Sequence, residues 1–194
     1  MSERPQRMPA LPALGPTTTS QSSKIAFFER PFLGYLNLRG NPRDPAFLDS
    51  VQSRLGVPLP LQPDTVSANN RCTVLWLGPD EWLLVTEPSQ EDALVPTLSS
   101  TLQGCFFSLT NVTDGQTMIR LTGTRAVDVL RKGCSLDLHP HAFGPGRCAQ
   151  TLLAKTGILI HCLDPLPSFD LIVRRSFAGY LALWLQDAAT EYGG

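Results

Sequence analysis

The chain lacks any uninterrupted apolar stretch of the ~18 to 20 residues that crossing a bilayer takes. Its longest candidate, around Leu181, reads as a short amphipathic helix. An excess of charge of one sign is also missing: 16 Lys plus Arg stand against 17 Asp plus Glu, a net charge of −1. No broad field then attracts phosphate backbones or an anionic membrane, so neither nucleic acid nor a membrane is expected as a partner. Histidine is scarce at 3 residues, and the 5 cysteines (Cys72, Cys105, Cys134, Cys148 and Cys162) contain no Cys-x-x-Cys spacing. An odd, scattered set predicts reduced, mostly buried thiols in a soluble cytoplasmic protein. Phosphate-binding glycines are missing too. Thr122-Gly123-Thr124 has one glycine where a phosphate loop or dinucleotide fingerprint needs several, so no cofactor motif is present.

What is there amounts to one sizeable core, since 42% of 194 residues are hydrophobic. Residues 1–23 are rich in Pro, Ser, Thr and Gln without the apolar run of a signal peptide, and predict a disordered leader. Residues 24–194 are expected to form a single domain with internal duplication. Tyr35 to Arg39 alternates apolar and polar before Gly40, the pattern of a half-buried strand. Asp44 as cap, Pro45 at the first position, the stripe Phe47, Leu48, Val51, Leu55 and then Gly56 spell a helix. Two short strands, Thr73 to Leu77 and Trp82 to Val85, precede a second helix over Ser89 to Leu102, interrupted by Pro96.

The order then recurs. Met118 to Leu121 leads to Gly123, Thr124 is placed to cap a helix through Leu130, and Gly133 ends it. Strands follow at Ala149 to Leu153, Ile158 to Leu163 and Phe169 to Val173. The last helix, from Ser176, carries Phe177, Tyr180, Leu181, Trp184, Leu185 and Ala188 as its predicted buried stripe. Gly40 and Gly123 stand 83 positions apart (123 − 40). The predicted class is therefore α+β: two strand-helix-strand-strand-helix units, about 33–104 and 105–192, each laying an antiparallel sheet against two helices, with the sheets or helices of the halves meeting at a pseudo-twofold core. Phe106 to Leu109 and Ile25 to Phe28 supply further strands.

Candidate chemistry is sparse. In Trp76-Leu77-Gly78-Pro79-Asp80-Glu81-Trp82-Leu83-Leu84-Val85, the acid pair follows Gly-Pro turn punctuation and reads as a hairpin tip. The matching segment of the second unit, Asp164-Pro165-Leu166-Pro167-Ser168, has no such pair. Pro140 between His139 and His141 is expected to hold the imidazoles apart, and His161 stands alone, so no metal site is expected. Cys134 and Cys148 have no neighbouring base. Catalytic, cofactor and metal residues are all expected to be absent. Trp76 and Trp82 are core candidates and also candidates for a subunit interface, where large aromatics are enriched.

Pro31-Phe32-Leu33, Leu36 to Gly40, Asp44 to Leu48, the WLGPDEWLLV run, Lys132 to Pro140, Gly146 to Leu153 and Arg174 to Ala178 together resemble the gamma subunit of heterotetrameric sarcosine oxidase, over about residues 30–192. That family is similar to the folate-binding domain of the glycine-cleavage aminomethyltransferases, also a duplicated α+β fold. The resemblance implies a non-catalytic structural subunit of a complex that oxidatively demethylates sarcosine to glycine, with hydrogen peroxide and formaldehyde or methylene-tetrahydrofolate as products. It implies FAD, FMN and NAD on partner subunits and none on this chain. The alpha subunit is the expected direct contact, with beta and delta completing the assembly. The alternative is a free-standing folate-binding aminomethyltransferase-like enzyme. Against it, the family's Asp-x-Ser motif is matched here by Asn111-Val112-Thr113, and an amide cannot relay a proton as a carboxylate does. The acidic pair expected after a Gly-initiated strand is replaced by Gly157 to His161.

Overall fold

The computed structural model describes residues 7–11, 24–164 and 167–192. Its strands are β1 (Ala26–Arg30), β2 (Gly34–Gly40), β3 (Val66–Ala68), β4 (Cys72–Gly78), β5 (Glu81–Thr86), β6 (Phe107–Asn111), β7 (Gln116–Thr122), β8 (Cys148–Leu153), β9 (Thr156–Asp164) and β10 (Ser168–Arg174). Its helices are α1 (Pro45–Leu55), α2 (Glu91–Thr101), α3 (Ala126–Arg131) and α4 (Ala178–Ala189). The strands form two five-stranded antiparallel sheets, ordered β3-β4-β5-β2-β6 and β1-β7-β10-β9-β8.

The local signals explain the elements. Asp44 accepts a hydrogen bond from the Ala46 amide, Pro45 opens α1, and Gly56 closes it in the left-handed region at φ 72°. Gly40 ends β2 because Phe47 packs against its bare Cα. A Cβ there would lie 2.3 Å from the Phe47 ring. β5 and β10 are buried on nearly every residue, not on alternate ones, because each runs through the middle of a sheet covered on both faces.

Three apolar clusters build four layers. Phe47, Val51, Trp82, Leu84 and Leu98 join the first sheet to α1 and α2. Ile119, Leu130, Leu171, Leu181 and Leu185 join the second sheet to α3 and α4. Between the sheets lie Leu33, Tyr35, Leu75, Leu83, Met118, Leu159 and Ile172. The duplication places β7 to α4 as the counterpart of β2 to α2, and of the two arrangements the sequence left open it is the sheets, not the helices, that meet at the centre.

One relation between the halves was not visible in the repeat. β1 leads into the first unit but pairs with β7 of the second, and β6 leads into the second but pairs with β2 of the first. Each unit lends its leading strand to the edge of the other's sheet, which covers an otherwise open ladder.

Several expectations are corrected. α2 starts at Glu91, not Ser89, because Ser89 sits at φ 65°, outside helical space. Thr124 does not cap α3, whose flanking residue is Arg125. A short 3₁₀ turn over Arg175–Phe177 delays α4 to Ala178 and rotates its buried stripe, so Phe177 and Tyr180 are exposed. The expected disordered leader falls mostly on residues 1–6 and 12–23, outside the described residues, but its residues 7–11 are seated on the fold. Leu11 is buried, and the amides of Ala10 and Leu11 donate to the Glu29 carboxylate at 3.0 and 2.9 Å. Part of the Asp164 to Ser168 turn also lies outside the described residues.

Candidate functional site

The acid pair does structural work. β2 runs beside β5 with Arg39 opposite Glu81, and the two carboxylates turn to different partners on β2. Arg39 Nη2 meets Asp80 Oδ2 at 3.0 Å, while Asn37 Nδ2 donates to Glu81 Oε1 at 2.8 Å. The Asp80 carbonyl accepts from the Gly40 amide at 3.1 Å. Two carboxylates held separately by a cation and an amide are not poised as an acid and a base.

Trp76 and Trp82 are direct cross-strand partners on β4 and β5. They share the face that packs toward α1 and α2. Trp82 has no exposed surface; its indole N–H donates to the Pro60 carbonyl at 2.8 Å and its ring lies 6.1 Å from that of Phe47. The expectation that Trp82 serves a subunit interface is corrected by this burial, since a side chain without surface offers a partner nothing. Trp76 is half-buried.

The histidines divide. His139 and His141 are exposed and, against expectation, their rings stack at 5.1 Å with 15° between planes, because the His141 amide donates to His139 Nδ1 at 3.3 Å. No cluster of three or more His, Cys, Asp or Glu able to hold a metal occurs among the described residues. His161 is buried on β9, opposite Asp170 of β10, which in turn faces Arg120 of β7. Arg120 grips Asp170 through Nε and Nη2 at 2.7 and 2.8 Å. Burial pushes the His161 imidazole below its usual range; Asp170 opposes that shift and Arg120 adds to it. These three line a cavity of about 100 Å³ at the edge of the inter-sheet core, with Arg30, Arg71 and Thr86. With the carboxylate already committed to the guanidinium, the trio carries no activated nucleophile.

The cysteines are all free thiols. Burial raises the Cys72 thiol to about 12 and the Cys148 thiol to about 11, far from a reactive thiolate at neutral pH.

The larger cleft, about 670 Å³, opens between the halves and is lined in part by Glu29, Tyr35, Asn111, Thr113 and Arg175. Asn111 Oδ1 accepts from the Thr113 amide at 3.0 Å, and the Thr113 hydroxyl accepts from the Tyr35 amide at 3.0 Å. Both side chains of the Asn-Val-Thr motif are thus used to hold the turn after β6 against β2. The Tyr35 hydroxyl is buried without a hydrogen-bond partner among the described residues, and burial raises its pKa. Sequence reasoning missed this cleft because its walls come from segments far apart along the chain.

The sequence and the fold have relatives. The chain is 34% identical over 173 residues to the sarcosine oxidase subunit gamma of Corynebacterium sp. (strain U-96), covering 87% of this chain and 80% of that protein. It is 34% identical over 144 residues to the sarcosine oxidase subunit gamma of Arthrobacter sp, covering 74% and 70%. Among solved structures it superposes on a chain of the heterotetrameric sarcosine oxidase from Corynebacterium sp. U-96, in complex with pyrrole 2-carboxylate, with TM-score 0.86, 29% identity and 97% of both chains covered. The glycine cleavage system aminomethyltransferase T from Bartonella henselae shares the fold at TM-score 0.64 and 15% identity, over 89% of this chain and 49% of that one. The model of the sarcosine oxidase gamma subunit family matches residues 39–191, and the chain belongs to that family.

Proposed function

We propose that this chain is the structural gamma subunit of a heterotetrameric sarcosine oxidase and performs no chemistry itself. The single observation that carries this reading is the superposition on a chain of such an enzyme, over 97% of each. The chain's own groups support it. The acid pair is spent on β2, the buried thiols are held protonated, and Asn111 stands where the aminomethyltransferase resemblance leads one to look for a carboxylate. The assembly then oxidises sarcosine to glycine on partner subunits that carry FAD, FMN and NAD, with no cofactor on this chain. Its five free cysteines suit a cytoplasmic setting. No helix among the described residues is long and apolar enough to cross a membrane.

The alpha subunit is the proposed direct contact, with beta and delta completing the tetramer. A permanent contact of this kind buries ~2,000 Å² or more and needs exposed apolar side chains. Phe177, Tyr180 and Leu183, spaced by three along α4 and its lead-in turn, meet that need, being 45%, 39% and 68% exposed. Trp76 is the hairpin tryptophan with surface to add. Co-expression with candidate alpha, beta and delta chains, followed by size-exclusion chromatography, tests the proposal. Co-elution of all four chains is expected. Separate elution of this chain, with full oxidase activity when it is omitted, overturns it.

A further inference from the structure

Residues 7–11 run without regular secondary structure, yet they are linked to groups far away in sequence. Arg7 Nη2 meets Glu91 Oε1 at 2.9 Å, and Arg7 Nε lies 3.6 Å from Asp114 Oδ1. The Met8 carbonyl accepts from Arg175 Nη2. The next two free amides are clamped by one carboxylate, Ala10 N to Glu29 Oε1 at 3.0 Å and Leu11 N to Glu29 Oε2 at 2.9 Å. Leu11 then drops its side chain into the core beneath the second sheet, where it is 7% exposed.

The receiving groups are held in place by the rest of the fold. Thr117 of β7 donates its hydroxyl to Glu29 Oε1 at 2.6 Å, which fixes that carboxylate from the neighbouring strand. Glu91 has no exposed surface, and its second oxygen, Oε2, has no hydrogen-bond partner among the described residues. A buried carboxylate calls for a cation, and Arg7 supplies one. Four separate parts of the chain converge here: β1, the start of α2, the turn before β7 and the turn before α4. The contacts read the main chain through two N–H groups and one carbonyl, and read side chains at an arginine and at a leucine four residues on. That is how a groove recognises a peptide segment. Because no β ladder is made, the segment can leave without unpairing a strand.

We infer that this groove beside the central cleft is a binding site for a peptide with a basic residue and, four positions later, an apolar one, and that Arg7–Leu11 of the same chain is its resident ligand. The occupied groove forms one wall of the 670 Å³ cleft, to which Arg7, Met8 and Pro9 contribute. Occupancy therefore sets how open the cleft is.

The test uses the full-length chain. Hydrogen exchange should show the amides of Ala10 and Leu11 protected by about tenfold or more over the free peptide of residues 7–11. Glu29→Gln should return them toward the free rate while the amides of β9 and β10 keep theirs. A fluorescent peptide of the native Arg7–Leu11 sequence should bind full-length Leu11→Asp, whose own segment is expelled, about tenfold or more tighter than it binds the unaltered chain, where the tethered segment competes at high effective concentration. Adding Glu29→Gln should abolish that binding. If Leu11→Asp does not fold, Arg7→Ala takes its place in the titration. Free-rate exchange in the unaltered chain, equal peptide binding to both forms, or no saturable binding to the variant would each overturn the inference.

Discussion

Arg120 and Asp170 face each other across β7 and β10 and join through two hydrogen bonds, at 2.7 and 2.8 Å, on the face of the second sheet that looks toward the first. Asp170 is 3% exposed, so its charge depends on the fork that grips it. Arg120→Ala leaves that carboxylate buried and uncompensated, and should destabilise the chain by about 3–5 kcal/mol. Removing both charges with Arg120→Met and Asp170→Leu should cost much less than Arg120→Ala alone. Urea unfolding of the three proteins checks this, and equal losses in single and double variants would contradict it.

Trp82 gives the second prediction. With its ring buried against Phe47 and its N–H on the Pro60 carbonyl, Trp82→Ala opens a large cavity and should cost about 3–5 kcal/mol. Trp82→Phe retains most of the volume but strips the Pro60 carbonyl of its donor, a loss of about 1–3 kcal/mol. Chemical denaturation of the isolated chain measures both. A folded Trp82→Ala of unchanged stability would place the ring at a surface, contrary to its burial.

His161 makes stability depend on pH. Its folded-state pKa is depressed by burial below the ordinary 6.5, so in acid the unfolded chain takes up a proton that the folded chain refuses. Stability should therefore be level above about pH 6.5 and fall as the pH drops from there toward the lowered folded value. His161→Gln should flatten the slope in the upper part of that window, while leaving the loss that carboxylates cause at lower pH. An unchanged slope in the variant would assign the acid sensitivity elsewhere.

The thiols offer a simpler count. Cys72, Cys134, Cys148 and Cys162 are buried and Cys105 is half-buried. At pH 8 a thiol reagent should titrate about one group in the native chain and all five after denaturation, since buried thiols react only on opening. Rapid native labelling at Cys72, whose pKa burial raises to about 12, would contradict the packing of β4.

Short-range chemistry made most of this fold legible. Asp44, Pro45 and Gly56 announce α1 because a cap, a first-turn proline and a left-handed stop are local events. The repeated glycine after the first strand of each unit exposed the duplication. Ser89 misled because its positive φ has no signature in a serine. Phe177 and Tyr180 misled because a 3₁₀ turn ahead of α4 shifted the phase of an otherwise good apolar stripe. The exchange of β1 and β6 between sheets, and the seating of Arg7 and Leu11, rest on pairings far apart along the chain. No periodicity encodes such pairings, so the groove at Glu29 and Glu91 had no sequence signal.

The carboxylates of the β4–β5 turn supply the last prediction. Asp80 and its partner Arg39 are both about half exposed, at 54% and 52% of their side chains, which puts the pair among surface bridges worth ~0–1 kcal/mol. Glu81 accepts from Asn37 in a partly buried contact, so its loss should matter slightly more. Asp80→Asn and Glu81→Gln together should lower stability by no more than about 2 kcal/mol. In the reconstituted oxidase, the same double variant should leave kcat for sarcosine unchanged within error. A loss of about tenfold or more in kcat, with the tetramer intact by size-exclusion chromatography, amounts to ~1.4 kcal/mol of transition-state stabilisation. That outcome would make the acid pair chemical after all, because a turn that only holds β5 to β2 has no means of accelerating the oxidation.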